Sequence, residues 1–256
     1  MSEILCSIVN GIATVTLNRP EKRNALNSIV LDGLTRTFTQ LETDPAVRVV
    51  VIRGEGKAFC SGLDLRELSS RQQGDADPES GVTKVFQQIE RSRHPTIAMV
   101  QGDALAGGCE LALHCDLRVA SEAARFGMPL ARLGLIVPFV LGQKLVEIIG
   151  PAFTKQILFT GYPIDAKRAY EIGMIHQLVP ASELESATMT LARTIADNAP
   201  LSLAGMKQVI LRTTSLRETI QTQDLHEVVN RARKSADAKE GVLAMLEKRK
   251  PAFRGE

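Results

Sequence analysis

The sequence predicts an α/β fold with parallel strands, and two observations carry this prediction. Short β-branched runs bounded by glycine, such as "VRVVVIRG" (residues 47–54) and "PTIAMVQG" (residues 95–102), are typical of strands buried on both faces. The order strand, turn, helix also repeats along the first half of the chain. Since parallel strands need long crossover connections, usually helices, this order predicts a parallel sheet covered by helices.

The first half of the chain supplies these elements in order. "ILCSIVNGIATVTLN" reads as a hairpin around Asn10-Gly11, and a polar loop then leads to a helix over residues 28–43. After the first buried strand come a glycine turn at residues 56–65 and a strongly polar stretch at residues 66–80, predicted to be a mobile surface segment. The remaining elements are a helix (82–93), a strand (95–102), a glycine turn with its own helix, and a short strand (116–120).

The second half reads as helical almost throughout from Phe139, with breaks at Gly150-Pro151 and at residues 161–163. A helix is predicted over residues 183–198, another starts at Pro200, and residues 216–250 form one or two charged amphipathic helices. We therefore expect an α/β core over residues 1–198 and a C-terminal helical oligomerisation region over residues 199–256.

Composition narrows the classes of function. The 256 residues are 44% hydrophobic with a net charge of +2 and no basic arm or acidic tail, so nucleic acid is not the expected partner. No apolar run is long enough for a membrane span, and residues 1–10 resemble neither a signal peptide nor an anchor. The four cysteines form no CxxC pair and no zinc spacing, so we expect reduced cysteines and a cytoplasmic location.

Two glycine turns share one plan, in which a buried strand leads through small residues into a helix start. The first ends in Gly62-Leu63-Asp64 and the second in Ala106-Gly107-Gly108. N–H groups at a helix start are unpaired, and glycine lets a ligand approach the backbone closely. Two facing turns could therefore donate two N–H bonds to one oxygen and stabilise an enolate, as an oxyanion hole does.

Glu110 follows Gly107 by three residues and lies among small and apolar neighbours in "ALAGGCELALHC". One interpretation is a general base placed beside an oxygen that the Gly107 N–H would hold. The other is a half-exposed helix N-terminal glutamate stabilised by the helix dipole. Burial would raise its pKa and the helix N-terminus would lower it, and the motif alone leaves both interpretations open.

Four segments together resemble the crotonase superfamily of enoyl-CoA hydratases and isomerases. They are "NRPEKRNALN", "GKAFCSGLDL", "VQGDALAGGCELALHCDLRVA" and "LEKRKPAF", in that order along nearly the whole chain. The resemblance implies a spiral of ββα units with a C-terminal helical trimerisation region, assembled as a homotrimer or a dimer of trimers. It implies an acyl-CoA thioester as substrate, with no metal or redox cofactor.

The resemblance also implies roles for individual residues. The thioester oxygen would bind the N–H groups of Leu63 and Gly107, and Glu110 would be the catalytic carboxylate. Lys250 and Phe253 could reach the CoA of a neighbouring subunit. The adenine and ribose-phosphate of CoA would lie near Arg23, Ala25, Leu26, Leu63, Asp64 and Leu65.

The chain departs from the family pattern at Leu130. Many hydratases of this family carry a second glutamate after the proline of an "FGxPE" segment, whereas this sequence reads "RFGMPLARLGL". A single carboxylate can still act twice, by deprotonating water and then donating that proton to the α-carbon, or by moving a proton from one carbon to another. His114 lies one turn after Glu110 and could tune it, although a packed structural histidine is the ordinary alternative.

The expected function is hydration of a trans-2-enoyl-CoA to a 3-hydroxyacyl-CoA. The alternatives are double-bond isomerisation, thioester hydrolysis or decarboxylation, and an inactive acyl-CoA-binding relative. An RNA-binding relative is disfavoured because the helix over residues 28–43 contains a single basic residue, Arg36. Residues 66–80 and 130–141 are expected to shape the acyl pocket, with no residue there fixing the chain length.

Overall fold

The computed structural model describes residues 2–70, 78–214 and 223–255, and side chains within these ranges except at residues 68–70, 78–80 and 223. Its strands are β1 (Ile4–Val9), β2 (Ile12–Leu17), β3 (Val49–Gly54), β4 (Thr96–Val100), β5 (Asp103–Leu105), β6 (Leu117–Ser121), β7 (Arg125–Gly127), β8 (Ile164–Asp165) and β9 (Gln177–Val179). Its helices are α1 (Ser28–Thr43), α2 (Leu65–Ser70), α3 (Pro78–Arg91), α4 (Gly107–His114), α5 (Phe139–Thr160), α6 (Ala166–Glu171), α7 (Leu184–Ala196), α8 (Pro200–Thr214), α9 (Gln223–Lys234) and α10 (Ala236–Leu246).

The strands form two sheets. The larger has the order β1-β2-β3-β4-β6-β9, in which β1 is antiparallel to β2 and all other neighbours are parallel. The smaller has the order β5-β7-β8. An isolated parallel bridge joins Cys60 to Ala104, so three successive turns of chain each contribute a long strand and then a short one. This arrangement confirms the predicted spiral of ββα units.

Both faces of the larger sheet are buried. Val49 and Val51 face α7 in one apolar cluster, whereas Val50 and Ile52 face the main core formed with α1, α3 and α4. Because alternate residues of β3 point to opposite faces, the four residues Val49–Ile52 have to be apolar. The same reason explains the apolar run that follows Thr96 in β4, a strand whose five residues are all buried.

Several predicted features are confirmed. The hairpin turns at Asn10 (φ 50°) and Gly11 (φ 78°), as an Asn-Gly turn requires. The break at Gly150-Pro151 is a kink within α5, where Gly150 has φ 70°. Ser235 separates α9 from α10 and caps α10 by accepting the N–H of Ala238.

Other predictions were wrong. The helical interpretation of the second half missed β8 and β9, and β5 and β7 were also missed, because strands of two or three residues are too short to show a period. The predicted mobile segment at residues 66–80 is helical at both described ends, since α2 begins at Leu65 and α3 at Pro78. Asp64 favours α2 by accepting the N–H of Arg66. Residues 71–77 and 215–222 of the predicted segments lie outside the described residues.

Contacts join the C-terminal helices to the rest of the chain. Lys207 of α8 donates to the carbonyl of His94, and α10 packs Gly241 against the backbone of Leu133. The division at residue 198 stays a prediction. In the part of the chain that the structure describes, no helix has the length and apolar character needed to cross a bilayer.

Candidate active site

The first glycine turn is held by backbone pairing with the loop before α1. The Leu26 N–H donates to the Gly62 carbonyl over 2.8 Å, and the Asp64 N–H donates to the Leu26 carbonyl over 2.9 Å. In this parallel bridge the carbonyl of Gly62 and the N–H of Asp64 face Leu26. The N–H of Leu63, between them, therefore points to the opposite side, towards the second turn.

The second turn is held in a conformation that alanine rarely adopts. Ala106 has φ 48° and ψ −122°. Its N–H donates to the Gly127 carbonyl over 2.8 Å, and its carbonyl accepts the N–H of Glu110 over 3.1 Å. A strained residue fixed on both sides is common at functional sites. The strain at Ala106 sets the direction in which the N–H of Gly107, the first residue of α4, leaves the turn.

The two turns touch through their backbones. A methyl group added at Gly62 would lie 3.0 Å from the Gly107 nitrogen, and one added at Gly107 would lie 3.7 Å from the Leu63 nitrogen. Neither N–H has a hydrogen-bond acceptor within the described ranges. The structure thus brings the two predicted N–H groups close together, as an oxyanion hole would require.

Glu110 lies in the first turn of α4 and is completely buried. Among the described residues, neither carboxylate oxygen has a hydrogen-bond partner. Helical side chains lean towards the N-terminus, so this carboxylate projects back towards Gly107. Burial raises the pKa of the Glu110 carboxyl well above its usual value, and the positive charge of Lys144 counteracts this only in part. The half-exposed alternative from the sequence is therefore wrong, because the Glu110 side chain is fully buried.

His114 lies one turn later and is also buried. Its Nδ1 is 2.8 Å from the Glu110 carbonyl oxygen and must donate, because a carbonyl can only accept. Burial lowers the pKa of His114, which favours the neutral ring. The ring packs against Phe86 with centroids 5.4 Å apart. These contacts agree with the structural interpretation of His114.

Lys144 is a residue of the site that sequence reasoning missed. It projects from α5 between two carboxylates, forming ion pairs with Glu90 of α3 and with Glu147, the latter over 3.1 Å. The pKa of Lys144 is raised because these two carboxylates outweigh the effect of its burial. Glu90 and Glu110 lie on elements distant from α5 in sequence, so the local spacing of Lys144 and Glu147 alone could not have indicated this site.

The residues expected to contact CoA form one continuous edge. The Ser61 N–H donates to the Arg23 carbonyl over 3.0 Å, which adds to the bonds that join Leu26 to the first turn. Arg19, also missed from sequence, braces this edge by donating to the Ala25 carbonyl (2.7 Å) and to the Asp64 carboxylate (3.2 Å). Asp64 therefore orders the loop by pairing with Arg19, and Leu65 begins α2 beside it.

The remaining predicted residues lie in two other places. Leu130 is in a 3-10 turn (Pro129–Leu133), is partly buried and packs on the main core. Lys250 and Phe253 lie in a tail that folds back on α10, where Glu240 accepts the N–H of Ala252 over 2.9 Å. Phe253 stays 44% exposed in this tail. A contact of these two residues with CoA stays a prediction.

Comparison with known proteins gives consistent matches along the chain. The family model described as enoyl-CoA hydratase/isomerase matches residues 7–256. A short-chain-enoyl-CoA hydratase from Clostridium acetobutylicum is 36% identical over 253 residues, covering 98% of this chain and 97% of the relative. A probable enoyl-CoA hydratase from Bacillus subtilis is 34% identical over 263 residues, covering both chains fully.

The fold is also similar to that of solved structures. A methylmalonyl-CoA decarboxylase in complex with 2S-carboxypropyl-CoA has a TM-score of 0.91 and is 28% identical, covering 100% of this chain and 99% of that one. Similar folds thus occur with two reactions of acyl-CoA thioesters.

Proposed function

The chain belongs to the enoyl-CoA hydratase/isomerase family, and from this premise we propose that it hydrates a trans-2-enoyl-CoA to a 3-hydroxyacyl-CoA. The observation that carries the proposal is Glu110, a buried carboxylate without a described partner beside two N–H groups without described acceptors. A buried charge without compensation is unfavourable, so such an arrangement suits a group that moves protons.

In the proposed reaction the thioester oxygen accepts the N–H groups of Leu63 and Gly107. Glu110 takes a proton from water, the water oxygen bonds to C3, and the C2–C3 π electrons move into a thioester enolate. The two N–H groups stabilise the negative charge on the enolate oxygen. Protonated Glu110 then gives its proton to C2, so that one water has been added across the double bond and the carboxylate is restored.

Leu130 supports a mechanism with one carboxylate, because it puts an apolar side chain where many relatives have a second glutamate. The raised pKa of Glu110 suits the first half of the reaction, since a weaker acid is a stronger base towards water. General acid–base help from one group contributes on the order of 10²–10⁴ in rate, which leaves room for turnover without a second one.

Crotonyl-CoA incubated with the protein in deuterated water tests the proposal by mass spectrometry. We expect the product to gain one water and to keep one deuterium at C2 after return to ordinary water. Glu110→Gln should abolish this gain, while Glu122→Gln, the same change at an exposed position, should not. Migration of a double bond without added water would overturn the proposal, as would release of carbon dioxide from a 2-carboxyacyl-CoA without hydration of any enoyl-CoA.

Binding of CoA is proposed along the edge formed by Arg23, Ala25, Leu26, Asp64 and Leu65. This edge is supported by the backbone bonds that hold these residues together at the oxyanion turn. We propose that the thioester substrate is the only small molecule required, with no metal or redox cofactor. Prolonged dialysis against a chelator should then leave kcat unchanged.

A homotrimer or a dimer of trimers is proposed on the exposed apolar side chains of α8. Leu201, Met206, Val209 and Ile210 are each at least 60% exposed in the single chain. Such a patch is typical of a face that meets another copy. Light scattering should give three or six times the monomer mass. A cytoplasmic location is also proposed, supported by the four cysteines, which are all free.

A further inference from the structure

A cavity of about 500 Å³ lies where α5 bends. Val146, before the kink at Gly150, and Thr154, after it, both line this cavity, so the kink makes the concave wall. Val137 closes it from the loop before α5, and Val228 of α9 lies on the opposite side. The volume falls within the range of small-molecule sites.

The cavity adjoins the charged groups around Glu110. Gln143 lines it and donates to Oε1 of Glu147 over 2.7 Å, and the other oxygen of Glu147 accepts Lys144 over 3.1 Å. Lys144 in turn is the charge that acts on Glu110. Helix α5, whose bend forms the concave wall, also packs directly against α4, the helix that carries Glu110. The cavity therefore starts within a few side chains of the reacting centre.

The side chains that line the cavity are mostly apolar. Gln143 and Thr154 are its two polar side chains among the described residues, and both are engaged elsewhere. Gln143 is bound to Glu147, and the Thr154 hydroxyl donates to the Gly150 carbonyl over 2.8 Å. Within the described ranges, no charged side chain lines the cavity. A terminal carboxylate in it would lose hydration without gaining a partner.

We propose that this cavity holds the acyl chain of the substrate and selects uncharged 2-enoyl-CoAs longer than the crotonyl group. The proposal rests on the proposed function, because it places the thioester at the N–H groups of Leu63 and Gly107. A methylene needs about as much space as a water molecule, roughly 30 Å³. The four carbons by which a 2-octenoyl chain exceeds a crotonyl chain therefore fit with room to spare.

The first experiment compares kcat/KM for 2-enoyl-CoAs of four, six and eight carbons. We expect an increase of about fourfold per added methylene, the gain for burying one such group. A six-carbon 2-enoyl-CoA with a terminal carboxylate should react at least about tenfold more slowly than 2-hexenoyl-CoA, because its charge is buried unpaired.

The second experiment measures binding of acetyl-, butanoyl- and octanoyl-CoA by calorimetry, which needs no turnover. Octanoyl-CoA should bind more tightly than acetyl-CoA, by about fourfold per methylene that enters the cavity. This series separates the two proposals. If the acyl-CoAs show the increase but no enoyl-CoA is hydrated, the cavity assignment holds and the proposed function fails.

Val146→Phe fills the cavity and gives the matched variant. We expect it to reduce the preference for octenoyl over crotonyl substrates, with the loss growing with chain length. Val9→Phe makes the same change on the exposed edge strand β1 and should keep the wild-type profile. A chain-length profile that is flat in both experiments, or equal rates for the charged and uncharged six-carbon substrates, would overturn the proposal.

Discussion

Glu110 and Asp116 are six residues apart, at the start of α4 and just after its end, yet their surroundings are opposite. Oδ2 of Asp116 accepts the Thr96 N–H (2.7 Å), the Thr96 hydroxyl (2.9 Å) and the Lys207 ammonium (2.7 Å). Glu110 is more deeply buried and has no partner for either oxygen among the described residues.

This contrast separates a carboxylate that holds the fold from one available for chemistry. Three donors stabilise the charge of Asp116 and tie α8 to β4, as expected of a structural acid. The lone carboxylate of Glu110 destabilises the folded chain whenever it is ionised. In the proposed reaction, Glu110 has a catalytic role beside the N–H groups of Leu63 and Gly107, which have no acceptor among the described residues.

We expect the largest effect, on kcat/KM, from a methyl group added between the two glycine turns. In Gly107→Ala the new methyl would lie 3.7 Å from the Leu63 nitrogen, where the thioester oxygen is proposed to bind. The fall in kcat/KM should be on the order of 10²–10³, as for loss of an oxyanion donor. Gly205→Ala, in open space on α8, is the control. Equal activity of the two variants would place the substrate elsewhere.

The next largest effect is a loss of stability when Asp116, the structural acid, is substituted. Asp116→Asn leaves the buried ammonium of Lys207 without its charged partner. We expect the free energy of unfolding in urea to fall by about 2–3 kcal/mol, with kcat nearly unchanged below the melting temperature. If kcat fell as far as it does in Glu110→Gln, the division between the two acids would be wrong.

Glu110→Gln is expected to raise the free energy of unfolding, in contrast to Asp116→Asn. Because burial raises the pKa of Glu110 in the folded chain, the folded state binds more protons than the unfolded state above the usual value of 4.5. Wild-type stability should therefore fall as pH rises from 4.5 through the folded pKa, and the variant should lose this dependence. At pH 8 the variant should be more stable, by on the order of 1 kcal/mol. Glu122→Gln should keep the wild-type slope in thermal unfolding across this range.

The smallest effect concerns Lys144, whose charge lowers the pKa of Glu110. Lys144→Gln removes this charge and leaves Glu90 and Glu147 uncompensated, and both changes favour protonated Glu110. The acidic limb of the kcat–pH profile should move upward by a fraction of a pH unit. Lys144→Arg keeps the charge and should restore the limb. A purely structural Lys144 would change stability and leave the limb in place.

The sequence predicted the long elements and the oxyanion turns because each rests on a local signal. The period of α1, the apolar run of β3 and the glycines at the start of α4 are all visible within short stretches of sequence. It missed β8 and β9, which form only where another strand pairs with them. It missed Lys144 and Arg19 for a related reason, since their partners lie on distant segments. The sequence also leaves the burial of Glu110 open, because that burial depends on the packing of α3 and α5 against α4.

The contact between Gly108 and Cys60 has a consequence for how this protein can change over evolutionary time. A methyl group at Gly108 would lie 2.1 Å from the Cys60 carbonyl oxygen, so main chain meets main chain with no room for a side chain. The separation of the two turns is thus set by backbone alone, whereas side chains such as Val146 and Val228 form the wall of the neighbouring cavity. Substitutions can reshape that wall without disturbing the turns, so descendants can acquire new acyl preferences while inheriting the same oxygen-binding geometry.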